Sequence, residues 1–106
     1  MPAKENFELK RGDVFLVNFD SSVGAEIKKL RPALVIQNDV ANFHSSMTIV
    51  AAITSKTEPP FYPTEVKLAK NEGGLDEESL VVLSQIRSFD KQRLIRKLGK
   101  IKPETL

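Results

Sequence analysis

The chain has 106 residues, enough for one domain with its own core. It has no cysteine and one histidine, His44, which excludes a disulfide framework, thiolate chemistry and a multi-histidine metal site within one chain. The net charge is +2, but from Gln85 onward seven basic residues face two acidic ones, which leaves residues 1–84 at −3. A basic end on a nearly neutral body suits a polyanionic partner, and equally a solvated charged face. The apolar runs are too short to cross a membrane, and the first ten residues, MPAKENFELK, lack the apolar segment of a signal peptide. The expectation is a soluble, cytoplasmic protein without a membrane partner.

Residues 1–10 read as a polar lead-in, and Lys10, Arg11, Gly12 and Asp13 as a turn. Residues 14–19 form an apolar run rich in β-formers, which predicts a buried strand. A polar loop follows, with Gly24 for backbone freedom and Glu26, Lys28 and Lys29 as its charges. Arg31-Pro32 then leads into a second strand at residues 33–36, because proline holds the preceding residue extended. Gln37, Asn38 and Asp39 favour a turn or cap, and residues 39–43 one helical turn, which leaves His44 in a loop. A third strand is expected at residues 47–53, an irregular stretch around Pro59, Pro60 and Pro63, and an edge strand at residues 64–68. Asn71, Glu72, Gly73 and Gly74 are a turn signal. A strand at residues 79–83 continues or bends through residues 84–90. Asp90 suits the cap of a short helix over residues 91–94, residues 95–101 could close the sheet, and Pro103 with Glu104 resembles a helix start. The sum is a single domain over residues 1–106, mainly β with short helices, as a small barrel or closed sheet.

Most enzyme chemistries lack their residues. His44 has no partner implied by spacing, and neither a Walker-type loop nor a dinucleotide fingerprint occurs. Glu77 and Glu78 beside the turn read as ordinary surface. What remains is a set of polar residues at strand ends: Arg31, Thr54 and Gln85. On one barrel rim, a guanidinium and a hydroxyl could hold a phosphate and stabilise the charge that grows on its oxygens during phosphodiester cleavage. The same three residues also read as a surface ion-pair partner, a capping hydroxyl and a solvated strand position.

Four segments carry a resemblance: RGDVFLVNFD at residues 11–20, RPALVIQND at 31–39, VAAIT at 50–54 and LSQIRSFDKQRL at 83–94. In this order and spacing, with Gly24 and Glu26 in the first loop, they resemble the PemK/MazF family of toxins from toxin–antitoxin pairs. The resemblance implies an SH3-like barrel, a homodimer and a metal-independent endoribonuclease without cofactors. It implies cleavage of single-stranded RNA by its own 2′-OH, leaving 2′,3′-cyclic phosphate and 5′-OH ends. It carries the catalytic arginine onto Arg31, the catalytic threonine onto Thr54 and an RNA-facing position onto Gln85. The loop at residues 21–30 would gate the RNA groove, and a cognate antitoxin would lay an acidic segment across the same surface. Gly24, Lys28, Lys29, Lys56 and Arg87 are further expected RNA contacts.

An arginine stays protonated near neutrality, so Glu26 is the candidate base or loop contact. The sequence departs from the family at Ile27, Lys28, Lys29 and Leu30, where the loop is often glycine-rich. It also departs at the end, where the family's C-terminal helix is expected to be missing or truncated. The alternative function is a catalytically inactive module of the same fold, acting on a protein target as a gyrase poison does, or sequestering an antitoxin.

Overall fold

The computed structural model describes residues 9–19, 30–55 and 65–102. Six antiparallel strands make one sheet: β1 (Asp13–Asn18), β2 (Leu30–Val35), β3 (Met47–Thr54), β4 (Glu65–Leu68), β5 (Ser79–Asp90) and β6 (Leu94–Lys100). Their order across the sheet is β4-β5-β3-β2-β1-β6. One short helix, α1 (Asp39–His44), links β2 to β3. The mainly β expectation holds, and β4 lies at the sheet edge as its weak alternation predicted. The first two strands begin earlier than expected, and His44 ends α1, edge-on to the exposed ring of Phe43, rather than lying in a loop. The proline-rich stretch and the segment from Pro103 onward lie outside the described residues.

Both faces of the sheet carry apolar side chains, as the continuous runs in β1 and β3 require. Phe15, Val17, Ala33, Val35 and Val50 cluster on one face with Phe89 and Leu94. Val14, Leu34, Ala51 and Ile53 occupy the other, with Leu68, Leu75, Val81 and Ile101. Each large, fully buried side chain, such as Phe15 or Leu94, contributes about 1.5–3 kcal/mol of transfer free energy.

Three irregularities shape the sheet. The first is Pro32, a residue that cannot donate to a ladder. Residues Leu30, Arg31 and Pro32 pair with β1, whereas the ladder between β2 and β3 covers only Ala33, Leu34 and Val35. Beyond Ala33 the two strands part. The second is in β5, where the register jumps from Ala52↔Val82 to Ala51↔Ile86. Leu83, Ser84 and Gln85 bulge out, and the twelve-residue strand bends into two arms.

The third is how the barrel shuts. Asn71, Gly73 and Gly74 have φ of 76°, 70° and 76°, which turns the chain sharply after β4. That turn packs directly on β6. A Cβ on Gly74 would lie 1.9 Å from the Leu98 carbonyl oxygen, and one on Gly99 would lie 2.6 Å from the Gly73 carbonyl carbon. Gly74 and Gly99 thus let two backbones touch, and by this contact β6, the edge strand beside β1, packs on the turn that follows β4.

Polar hubs fix the ends. Asn42 on α1 is buried. Its amide donates to the Gln37 carbonyl at 2.9 Å and accepts from Gln37 Nε2 at 2.9 Å and Thr48 Oγ1 at 2.8 Å. Asn38 caps α1 through Ala41 N–H at 2.9 Å, and Asp90 caps the turn Lys91–Arg93 through Gln92 N–H at 2.8 Å, both as their residue types predict. Asp13 is wholly buried, accepts from Lys10 N–H at 3.0 Å and pairs with Lys97 Nζ at 3.4 Å.

Candidate active site

The parting of β2 from β3 opens a groove of about 760 Å³. Leu16, Pro32, Ile53, Leu75 and Leu98 give it apolar surface, and Arg31, Thr54 and Ser55 stand where the strands end. The end of the β2–β3 ladder brings Arg31 and Thr54 to the groove. Ala33 with Ala52 is the last pair of that ladder, and two residues further along, where the strands have parted, Arg31 and Thr54 both line the groove. Leu16, Pro32 and Ile53 give the groove its apolar floor. Arg31 is exposed and Thr54 half-buried, so both can reach a ligand in the groove.

The opposite wall is the segment after the Glu72–Gly74 turn, with Asp76, Glu77 and Ser79. Arg96 enters from β6. Two guanidiniums and two carboxylates therefore share the groove. Sequence reasoning placed Glu77 and Glu78 on plain surface. Glu78 does pair with Lys67 at 3.3 Å on the surface, but Glu77 faces the groove. Arg96 and Asp76 were missed because nothing local distinguishes them from other charged residues.

Gln85 and Arg87 do not line this groove. Gln85 is exposed in the β5 bulge. Arg87 pairs with Val50, on the same sheet face as Thr54 but four residues away along β3, roughly 13 Å. Its guanidinium lies over the rings of Phe19 and Phe89, at 5.9 and 5.5 Å. Those rings meet edge-on at 5.1 Å. Gly24, Glu26, Lys28, Lys29 and Lys56 lie outside the described residues. Asp39, near the start of α1, accepts from Arg11 N–H at 2.6 Å, and this bond holds its carboxyl below the usual aspartate range.

An arginine can grip a phosphate with two parallel N–H bonds, and a threonine hydroxyl can add a third donor. A family of known proteins shares this arrangement of sequence. The model of the PemK-like, MazF-like toxins of type II toxin–antitoxin systems matches residues 10–106. The chain belongs to this family. It is 41% identical over 98 residues to the endoribonuclease EndoA of Bacillus subtilis, spanning 92% of this chain and 84% of the relative. It is 42% identical over 90 residues to the endoribonuclease MazF of Staphylococcus saprophyticus, spanning 85% and 75%. The fold superimposes on MazF from Deinococcus radiodurans with a TM-score of 0.74 at 25% identity, over 94% of this chain and 87% of that one. The chain is thus an enzyme of an endoribonuclease family, and its six-stranded sheet with one short helix is the fold of that family's solved structures.

Proposed function

We propose that this toxin is a metal-independent, sequence-specific endoribonuclease of single-stranded RNA, with Arg31 and Thr54 as its catalytic residues. The observation that carries the reading is that the two residues stand just past the last β2–β3 pair and line one groove. The 2′-oxygen of a ribose bonds to the adjacent phosphorus while the bond from phosphorus to the 5′-oxygen breaks. The 2′-OH proton passes to a base, for which Glu26 of the first loop is the candidate, and the departing 5′-oxygen takes up a proton. The products carry a 2′,3′-cyclic phosphate and a 5′-OH. As phosphorus becomes five-coordinate, negative charge grows on its non-bridging oxygens, and the Arg31 guanidinium and Thr54 hydroxyl stabilise it. RNA is required because the nucleophile is its own 2′-OH.

The toxin works in the cytoplasm as a homodimer. A cognate antitoxin restrains it by laying an acidic segment over the surface that RNA uses. The loop at residues 21–30, with Gly24, Lys28 and Lys29, gates the groove, and Lys56, Gln85 and Arg87 contact RNA beyond it. Among the described residues no helix is long and apolar enough to cross a membrane.

The test is incubation of the purified protein with a long unstructured RNA in EDTA, beside Arg31→Ala and Thr54→Val. The wild type cuts at discrete positions and leaves cyclic-phosphate and 5′-OH ends. Loss of one preorganised charged donor lowers kcat by about 10²–10³-fold. Arg31 is exposed, so Arg31→Ala keeps the wild-type melting temperature. Cleavage by Arg31→Ala at the wild-type rate refutes the assignment of Arg31. A folded wild type that cuts no RNA favours the catalytically inactive binding module.

A further inference from the structure

We infer that Arg96 is a second phosphate-binding residue of the groove, holding the RNA backbone beside the phosphate under attack. The inference rests on the ribonuclease reading above. One cross-strand row runs Pro32, Leu16, Arg96, through β2, β1 and β6. Arg96 thus meets the groove from the β6 side, two strand spacings from β2, or roughly 10 Å between backbones.

A bulge delivers it there. Val17 pairs with Leu94, so an unbroken ladder would set Ile95 against Leu16. Instead the register shifts by one residue between Leu16 and Val17, and Arg96 takes that place. Bulges re-aim side chains in this way. The shift has a cost, because it leaves Ile95 48% exposed. Without the shift, Ile95 and not Arg96 would stand beside Leu16 of the groove floor.

The neighbouring cations are already engaged. Lys97 pairs with buried Asp13, and Lys91 donates to the Asn42 carbonyl. Arg93 donates to the Asn18 carbonyl at 3.0 Å and lies over Phe89. Much of the basic end is therefore structural. Arg96 is exposed, lines the groove and forms no ion pair among the described residues.

Two guanidiniums on one groove call for two anionic groups. A single RNA strand supplies one phosphate per nucleotide along a continuous line. Asp76 and Glu77 line the groove too, and they repel phosphate. They leave the backbone to the arginines and can accept from base amino groups. An acidic peptide would offer those carboxylates no such amino edge, and RNA is the occupant that suits both sets of charges.

The test is steady-state cleavage of one single-stranded RNA by wild type, Arg96→Ala, Arg96→Lys and, as a surface control, Lys102→Ala. A salt series runs alongside. Arg96→Ala is expected to raise KM roughly fivefold at low salt with kcat nearly unchanged, the mark of binding shared by ground and transition states. Its plot of log affinity against log salt loses about 0.7 of slope, one phosphate contact. Arg96→Lys restores most of the slope, and Lys102→Ala behaves as wild type. A wild-type KM and slope in Arg96→Ala overturn the assignment while the ribonuclease reading stands. A fall in kcat alone overturns it too, by placing Arg96 at the reacting atoms. Loss of antitoxin affinity without any change in RNA kinetics assigns the side chain to the peptide instead and overturns the proposal. A wild type that cuts no RNA overturns the ribonuclease reading and this inference with it.

Discussion

Substituting Gly99 by alanine tests how the barrel closes. The new Cβ would lie 2.6 Å from the Gly73 carbonyl carbon, 2.7 Å from Gly74 N and 2.8 Å from the Gly73 oxygen. Non-bonded carbons prefer about 3.5–4.0 Å, so the two backbones must separate by roughly 1 Å. No flexible side chain can yield, because all three neighbours are backbone atoms. Over-packing of this kind costs about 1–3 kcal/mol, and here the upper part applies. Replacing glycine lowers the entropy of the unfolded chain, which returns roughly 0.5–1 kcal/mol. The net loss is about 2 kcal/mol. For a domain of this size that lowers the melting temperature by roughly 8–16 °C, measured by circular dichroism at fixed protein concentration. The same separation shifts Leu98 and Leu75, so KM for RNA rises. A fall of less than about 2 °C, the scale of an ordinary surface substitution, would refute the backbone contact as the closure.

Two further outcomes are expected. Asn42→Ala removes the partner of the buried Thr48 hydroxyl, while Gln37 keeps its bond to the Met47 carbonyl, and a buried group left unsatisfied costs about 1–3 kcal/mol. A denaturant midpoint equal to wild type would show that the hub is not holding α1 to β3. The depressed Asp39 carboxyl contributes stability above the ordinary aspartate value, and loses it as pH falls through the lower folded value. The stability difference between wild type and Asp39→Asn should therefore shrink below about pH 4, and a difference that persists in acid removes the linkage.

Much of the fold was readable because its causes are local. The β-branched and apolar runs at residues 14–17, 47–53 and 79–83 became strands, and Asn38 and Asp90 capped the elements that follow them. The Arg31-Pro32 step was readable too, since a proline has one φ and no N–H wherever it stands. Its consequence was not. That residues 30–32 pair with β1 and leave β3 depends on a register between strands some twenty residues apart. The close approach at Gly99 was invisible for the same reason, since a lone glycine in a strand has the same composition whether or not a backbone crosses it.

The residues of the site divide along the same line. By itself the sequence determined the family, the candidate pair Arg31 and Thr54, and the strand ends on which they stand. Tertiary structure alone decided that they share a groove and that Gln85 and Arg87 lie outside it. It also decided that Lys97 neutralises a buried aspartate while its neighbour Arg96 faces the groove. Strand periodicity places a side chain on one of two faces, and a single-residue bulge reverses that placement. Where the bulge falls is settled by the packing of β6 against β1, not by the residues of β6 alone.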